Sequence, residues 1–211
     1  MVASKETYTY NDNPYLSVPS IEGERDIFPR EMLHHSDNLE LEIGFGRGRF
    51  IRDRAAVAGN IRILGIETKR KLVYLCAQKA EKLGLGNLTV LHGDARSAVA
   101  RMVPDGCFKN VFVNFPDPWW KAKHKKRMVV TDALTEQIVR LLEKGGQYFV
   151  QTDVDFRAKT YQKVLLNNLM LAPVGNQDGY VAENHFNARS SRERRCEEMG
   201  LPIYRLLFKK R

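Results

Sequence analysis

Long apolar segments are missing from this 211-residue chain, and their absence bears on where the protein works. No stretch approaches the roughly eighteen consecutive apolar residues that a membrane-spanning helix needs. The first residues, M-V-A-S-K-E-T, also lack the basic and apolar regions of a secretory signal peptide. The sequence therefore predicts a cytoplasmic protein that has no membrane partner.

Cysteine is scarce as well, and its placement argues against two kinds of site. The three cysteines, Cys76, Cys107 and Cys196, are odd in number, scattered and without C-x-x-C spacing. Such a pattern indicates neither a disulfide framework nor a zinc site. The histidines at positions 34, 35, 92 and 185 show no metal-ligand spacing either, so we expect no metal.

Acidic residues are fewer than basic ones. The chain carries 34 Lys and Arg against 25 Asp and Glu, which gives a net charge of +9 and a pI near 9.5. This excess favours a polyanionic partner such as nucleic acid, although many basic proteins bind nothing in particular. The mass of 24.2 kDa and the 43% hydrophobic content fit one globular domain with a sizeable core.

Apolar, β-branched runs alternate with segments of helical period along most of the chain. The runs predict strands at 39–43, 61–67, 88–92, 111–114 and 147–152. The segments between them predict helices at 49–58, 70–83, 95–102 and 131–142. Strands separated by helices imply right-handed crossovers, and so an α/β fold whose mainly parallel sheet is covered by helices on both faces.

The two ends of the chain differ from this alternating middle. Beyond residue 152 the pattern predicts a helix near 156–169, a strand near 170–174, a polar loop over 175–200 and a closing strand at 203–208. Residues 1–36 contain N-P-Y, V-P-S and F-P-R, which are typical of an extended N-terminal arm. We therefore expect one domain over residues 37–211, preceded by that arm.

A glycine-rich turn follows the first strand, in the sequence E-I-G-F-G-R-G-R-F. Gly44, Gly46 and Gly48 fall where a strand meets a helix and where a nucleotide-like ligand can approach bare backbone. A dinucleotide fold would have its third glycine at position 49, which is Arg49 here. With Glu42 two residues before the first glycine, the spacing instead suits S-adenosylmethionine, whose ammonium needs a carboxylate partner. A tight turn without a ligand is the alternative.

Acidic residues also end the next two strands. Glu67, in G-I-E, lies about twenty residues beyond the glycine turn, where a carboxylate can accept both ribose hydroxyls, although alone it fits a solvated charge equally well. Asp94, in H-G-D-A, is placed to accept the adenine amino group. Because open α/β sheets bind ligands at the carboxyl ends of their strands, three acids in succession favour adenosylmethionine binding.

The fourth strand runs into N-F-P-D-P-W-W-K, which should face the transferred methyl group if the first three strand ends hold the cofactor. Pro116 and Pro118 flank Asp117 and place its carboxylate on a stiff loop. Trp119 and Trp120 can stack a base, although core packing is the better interpretation for at least one indole. The loop resembles the N/D-P-P-Y/F/W loop of amino methyltransferases, with Asp117 inserted between the prolines.

The inserted carboxylate favours a ring nitrogen as the methyl acceptor. Guanine N7 already has an in-plane lone pair, so it needs in-line positioning and a nearby negative charge rather than a base. Asp117 supplies that charge or accepts hydrogen bonds from the donor edge of guanine. Residues 121–127 then contain five Lys or Arg and no acid, which predicts an electrostatic funnel for an RNA backbone.

Taken together, these motifs resemble one family. L-E-I-G-F-G-R-G, G-I-E, G-D-A, N-F-P-D-P-W-W-K and Q-T-D-V-D-F follow one another, within residues 35–211, as in the bacterial tRNA (guanine-N7)-methyltransferases. The resemblance implies a Rossmann-like, doubly wound, seven-stranded sheet of the class I methyltransferases, which binds S-adenosylmethionine and methylates a guanine in the tRNA variable loop. By motif position it also implies cofactor contacts for the glycine turn and for Glu42, Glu67, Asp94 and Asp117.

The resemblance assigns further roles around the reacting base. Asp117 would be catalytic, and Lys121 and Asp153 would bind the substrate. The last family element is a Thr-x-(Tyr or Phe)-Glu segment, for which this chain has S-S-R-E, so substrate binding is implied for Ser190, Ser191, Arg192 and Glu193. Arg192 replaces the aromatic residue, and a guanidinium can also stack on a base. The neighbouring arginines at 189, 194 and 195 fit phosphate contacts and a solvated loop equally well.

Two other functions fit parts of the sequence. An amino methyltransferase acting on adenine or cytosine would use the same loop, and analysis of the methylated nucleoside separates it from a guanine enzyme. A non-catalytic RNA-binding module would bind RNA without turnover, but it would not require acids at four strand ends. We expect tRNA as the partner of a chain that is a monomer or a homodimer.

Overall fold

A single mixed sheet forms the centre of the protein. The computed structural model describes residues 14–32, 38–57, 59–116 and 128–211. Within these ranges the sheet contains β1 (Leu39–Ile43), β2 (Arg62–Glu67), β3 (Leu88–His92), β4 (Phe108–Asn114), β5 (Leu142–Thr152), β6 (Leu171–Pro173), β7 (Tyr180–Val181) and β8 (Tyr204–Lys210).

The strand order is β3-β2-β1-β4-β5-β8-β6, and β7 also pairs with β8. The strands β1 to β5 pair in parallel, whereas β8 is antiparallel to β5, β6 and β7. The prediction of an α/β fold with a mainly parallel sheet is therefore confirmed. Because β6 and β7 pair with successive parts of one edge of β8, the sheet is seven strands wide although it contains eight strands.

Helices cover both faces of this sheet. They are α1 (Pro29–Met32), α2 (Arg49–Val57), α3 (Arg70–Lys82), α4 (Ala95–Ala100), α5 (Asp132–Leu141), α6 (Asp155–Asn167) and α7 (Ser191–Glu198). Since alternate residues of a strand face opposite ways, Val111 and Val113 of β4 join one apolar cluster and Phe112 joins the other. The first cluster includes side chains from α4, α5 and α6, and the second includes side chains from α2 and α3.

No helix within the described ranges has both the length and the apolar character needed to cross a membrane.

Three parts of the secondary structure differ from the prediction. The strand β4 begins at Phe108 rather than at 111, and β5 begins at Leu142, directly after α5, rather than at 147. The first residues of both strands include charged residues or glycines, which weaken a strand pattern. Pairing with neighbouring strands therefore determines where β4 and β5 begin. The segment predicted as a polar loop over 175–200 contains β7 and α7. Helix α7 has almost no apolar face and begins with a capping box, in which Ser190 and Glu193 bond each other's backbone amides.

The segment before β1 runs along the edge of the sheet at β3. Two parallel bridges join Ser20 to His92 and Ile27 to Met102. The side chains of Val18, Ile21 and Ile27 are buried in the apolar clusters. A 3-10 helix, Pro14–Ser17, precedes this stretch. The segment therefore contributes core side chains at the outer edge of β3.

Candidate active site

A cavity of about 630 Å³ lies at the carboxyl ends of β1 to β4. This volume is within the range of pockets that hold cofactors and other small molecules. The location is the one that open α/β sheets use for ligands, because several strand ends and helix N-termini converge there. Eight of the residues singled out in the sequence line this cavity: Glu42, Gly44, Gly46, Glu67, Asp94, Ser190, Ser191 and Arg192.

The glycine turn forms one wall of the cavity. Gly44 and Gly46 have φ values of 72° and 55°, which lie in the left-handed region where a side chain strains the backbone. A Cβ added at either position would meet no atom within 4 Å, so the space beside this backbone is open. Gly48 does not line the cavity, and a Cβ there would collide with the Cys76 sulfur. The third glycine therefore permits close packing of the turn on α3.

Glu42 is a fully buried carboxylate at the base of the cavity. Its Oε1 atom accepts a hydrogen bond of 2.8 Å from the Asn114 amide, while Oε2 has no hydrogen-bond partner among the described residues. Burial raises the pKa of Glu42 to about 8; the Asn114 hydrogen bond and, more weakly, the Ile51 backbone oppose this rise, and the nearby Glu67 carboxylate adds to it. A buried, half-satisfied carboxylate at a cavity wall is suited to receive a cationic group.

Glu67 joins the end of β2 to the glycine turn. Its Oε2 atom accepts from the Gly46 amide at 3.0 Å, and Oε1 accepts from the Lys69 amide at 3.0 Å and the Thr68 hydroxyl at 3.1 Å. An ionised carboxylate has about four acceptor positions, so three bonds from the protein leave room for roughly one more. The side chain thus holds the turn in place as well as facing the cavity.

Asp94 caps α4 at the third strand end. Its carboxylate accepts from the Arg96 backbone amide at 2.9 Å and from the Arg96 guanidinium at 3.0 Å. The Arg96 hydrogen bond lowers the pKa of Asp94, so this group stays ionised. Arg96 also lines the cavity. No motif in the sequence singles out Arg96, because an exposed arginine in a helix has no distinguishing pattern.

The start of the proline-rich loop reaches the cavity at Asn114, Phe115 and Pro116. Phe115 has a φ of 49°, unusual for a residue with a side chain, and its amide donates to the Gln151 carbonyl at 2.8 Å. Such strained backbone is concentrated at functional sites. Asp117 and Lys121, together with the two tryptophans and the basic run at 121–127, lie outside the described residues.

The S-S-R-E segment contributes its first three residues to the cavity and its fourth to the core. Glu193 is fully buried beneath the segment and accepts hydrogen bonds from Gln151, Asn184 and Arg205. Arg192 forms an ion pair with Asp153, and its Nε donates to Asp153 Oδ2 at 3.0 Å. Two of the residues assigned to substrate binding thus contact each other. Glu193 instead lies in the core and holds the start of the segment through its hydrogen bonds with Ser190.

Within the described ranges, no group of three or more His, Cys, Asp and Glu side chains is arranged to hold a metal ion.

Comparisons with known proteins identify the family. A family model described as "Putative methyltransferase" matches residues 36–206. A tRNA (guanine-N(7)-)-methyltransferase of Nostoc sp. is 35% identical over 175 residues, which cover 82% of this chain and 80% of the relative. One of the same name from Myxococcus xanthus is 34% identical over 170 residues, which cover 81% and 82%. The chain belongs to the tRNA (guanine-N7-)-methyltransferase family. It is therefore an enzyme, and the resemblance inferred from the motifs is confirmed.

Solved structures agree with the fold of this tRNA (guanine-N7-)-methyltransferase family member. The crystal structure of the 16S rRNA methyltransferase KamB superposes with a TM-score of 0.59 and 12% identity, over 92% of this chain and 98% of that one. The aminoglycoside resistance methyltransferase NpmB1 gives a TM-score of 0.55 and 20% identity, over 92% and 98%. At these identities the comparison shows the fold alone, which is that of the class I methyltransferases.

Proposed function

We propose that this protein transfers a methyl group from S-adenosylmethionine to N7 of a guanine in tRNA, giving N7-methylguanosine and S-adenosylhomocysteine. The observation that carries the proposal is the relatives' name, tRNA (guanine-N(7)-)-methyltransferase, at about a third identity over four fifths of the chain. The geometry of the cavity supports it independently, because the cavity offers a place for the methyl donor. The variable loop as the position of the guanine follows from the motif resemblance.

The residues present fit S-adenosylmethionine, and the observation that tests the fit is Glu42 Oε2, which has no hydrogen-bond partner in the part of the chain that the structure describes. This molecule, when bound, supplies a methyl group on a sulfonium. Glu42 would bind its ammonium, which compensates the cost of burying a carboxylate with one oxygen unsatisfied. The open backbone at Gly44 and Gly46 would lie beside the ligand, and Glu67 would accept from the ribose with its remaining acceptor position. Asp94, held by Arg96, would accept from the adenine amino group.

The acceptor requires positioning rather than proton removal, since N7 of guanine is unprotonated at neutral pH. Asp117, which lies outside the described residues, would provide one fixed negative charge while positive charge grows on the purine. Asn114, Phe115 and Pro116 bring the chain to the cavity wall immediately before it. The proposal therefore places the catalytic carboxylate where the fourth strand ends.

The substrate would contact a set of polar residues around the cavity mouth. Ser190 and Ser191 line it, and the Arg192–Asp153 pair lies beside it. Lys121 and the basic run at 121–127 would meet the RNA backbone, because clustered cations without nearby acids attract phosphates. Phosphate contacts fix the orientation of the RNA, while the cavity selects the base.

The test is to identify the methylated nucleoside. Purified protein is incubated with labelled S-adenosylmethionine and unmodified bulk tRNA, and the RNA is digested and analysed by mass spectrometry. N7-methylguanosine is the expected product. An amino product such as N6-methyladenosine would instead support the amino methyltransferase, and tRNA binding without any product would support a binding module.

A further inference from the structure

A chain of buried amide and carboxylate groups runs beneath the cavity from Glu42 to the S-S-R-E segment. The Asn114 amide donates to Glu42 Oε1 at 2.8 Å. The Gln151 amide donates to Asn114 Oδ1 at 2.8 Å and to Glu193 Oε2 at 3.0 Å. All four side chains are buried, and Gln151 and Glu193 are fully so. We call this set of four residues the buried relay.

The Glu193 carboxylate, which forms an ion pair with Arg205 at 3.2 Å, fixes the direction of every bond in the buried relay. Ionised carboxylates accept hydrogen bonds and cannot donate them. Glu193 must therefore face the amino group of Gln151, whose second hydrogen then points to Asn114. Asn114 must accept through its oxygen, so its own amino group faces Glu42. Gln151 thus sets which end of the Asn114 amide is presented to the cofactor-side carboxylate.

The far end of the buried relay is anchored in the segment that lines the cavity. The Glu193 backbone amide donates to the Ser190 hydroxyl at 3.0 Å, and the Ser190 amide lies 3.4 Å from Glu193 Oε2. Arg205 and Asn184 also donate to the Glu193 carboxylate, at 3.2 Å and 3.1 Å. Ser190 itself lines the cavity. One connected set of hydrogen bonds therefore extends from Glu42, the proposed partner of the ligand ammonium, to the proposed substrate-binding residues at the start of α7.

Gln151 takes part in the buried relay through its amino group. Its Nε2 has two partners, whereas its Oε1 is buried without a hydrogen-bond partner among the described residues. A buried oxygen without a partner costs free energy, so a side chain chosen for stability alone would not present one there. The uncompensated oxygen indicates that the two donated bonds are the reason for glutamine at this position.

We propose that Gln151 is a positioning residue that orients Asn114 toward Glu42 and, through Glu193, couples cofactor binding to the conformation of Ser190–Arg192 at the start of α7. The inference rests on the proposed function for the identity of the two ligands. Beyond the proposed function, it assigns a role to Gln151, which touches neither ligand, and it connects the cofactor site with the substrate site. If binding at one site changes the shared hydrogen-bonded network, it alters the affinity of the other site, and this coupling is reciprocal.

The first test uses Gln151→Met, with Gln147→Met as the matched control on the same face of the same strand. The measurement is the affinity for S-adenosylhomocysteine by isothermal titration calorimetry between pH 6 and 9. Wild-type affinity should rise with pH as Glu42 ionises, since the ligand ammonium prefers the carboxylate. In Gln151→Met a loosened Asn114 should lower the affinity at pH 7 by about tenfold and move the midpoint of the pH dependence upward. Gln147→Met should match the wild type.

Among the described residues, the ionisable groups that interact with Glu42 are Glu67 on β2 and the Cys76 thiol on α3, and both substitutions leave these groups in place. The difference between the two variants in the pH midpoint therefore reports on Gln151. A role limited to stability would lower the melting temperature without moving that midpoint.

The second test measures the coupling. Affinity for unmodified tRNA is measured with and without saturating S-adenosylhomocysteine, and the wild type should bind tRNA about fivefold more tightly with it, a typical coupling. Gln151→Met should reduce this ratio to about one. Ser190→Ala removes one of the two hydrogen bonds between Ser190 and Glu193, so it should reduce this affinity ratio while it leaves the pH midpoint unchanged. This variant keeps the test decisive if Gln151→Met does not fold.

Two results overturn the inference while the proposed function stands: wild-type pH dependence in Gln151→Met, or an undiminished ratio in Ser190→Ala. Failure of the wild type to bind S-adenosylhomocysteine or to form N7-methylguanosine would overturn the proposed function instead. The two failures are therefore distinguishable in the same set of proteins.

Discussion

Glu42 combines three properties that are costly in a stable core. It is fully buried, one of its oxygens has no partner among the described residues, and a second carboxylate, Glu67, raises its pKa further. A buried charge without full compensation destabilises the folded protein unless a ligand supplies the missing partner. The residue is thus better explained by ligand binding than by folding.

This interpretation predicts how the ligand-free protein responds to pH. The folded-state pKa of Glu42, about 8, is above the ordinary value, so the folded state holds a proton that the unfolded state has lost between the two values. The contribution of Glu42 to the free energy of unfolding should therefore fall as the pH rises toward 8. The melting temperature of Glu42→Gln relative to wild type should therefore increase by a few degrees between pH 5 and pH 8. The exposed change Glu24→Gln is the control, and a difference for Glu42→Gln that does not vary with pH would refute the assignment.

Asp117 leads to a prediction about rate. Since its proposed role is to stabilise charge in the transition state, Asp117→Ala should lower the single-turnover methylation rate at saturating tRNA by about a hundredfold. The tRNA dissociation constant should change little, because the basic residues, not this acid, hold the RNA backbone. Rapid-quench methylation and filter binding measure the two quantities. A normal saturating rate with collapsed affinity would show that Asp117 binds rather than catalyses.

The glycine turn is the element that the cofactor would approach most closely. Gly46→Ala introduces a Cβ at a φ of 55° on the cavity wall, whereas Gly84→Ala does so at a φ of 65° in the turn after α3. Both changes strain the backbone by a similar amount, on the order of 1 kcal/mol. Only Gly46→Ala should weaken S-adenosylhomocysteine binding, by tenfold or so, in calorimetry. Equal affinities of the two variants would mean that no ligand lies against the turn.

The basic run at 121–127 is the element assigned to RNA docking. Changing Lys123, Lys125 and Lys126 to Gln should weaken tRNA binding and flatten the dependence of log affinity on log salt, by about 1 in slope for each lysine that meets a phosphate. Titrations at several salt concentrations measure the slope.

The matched control for this prediction changes three exposed lysines that do not line the cavity, Lys79, Lys82 and Lys144. These changes remove the same net charge. A slope that falls equally in both triple variants would indicate a general charge effect and no docking by the run.

Sequence patterns predicted some elements better than others for physical reasons. The alternation of apolar runs and helical segments located β1, β2 and β3 closely, because buried parallel strands need continuous apolar side chains. Helix α7 was not predicted, since its sequence S-R-E-R-R-C-E-E has almost no apolar face. Its capping box is a local signal, S-x-x-E, that could have revealed the helix start.

At the scale of the whole molecule, the topology explains why a linear set of motifs becomes one site. Parallel strands direct their carboxyl ends to the same side of the sheet, so Glu42 in β1, Glu67 at the end of β2 and Asp94 just after β3 meet there without further information. The buried relay could not be predicted in the same way. It depends on the packing of α7 beneath the cavity and on the antiparallel register that pairs Gln151 with Arg205, and neither appears in the local sequence.

The central claim is that this molecule methylates N7 of one guanine in folded tRNA. The most direct measurement uses two transcripts of a single tRNA, one unchanged and one in which the variable-loop guanine is replaced by adenine. After incubation with S-adenosylmethionine, nucleosides from each are quantified by mass spectrometry. The account predicts close to one N7-methylguanosine per unchanged transcript and none in the replaced one. Methylation of any other nucleoside, or equal N7-methylguanosine in both transcripts, would contradict it.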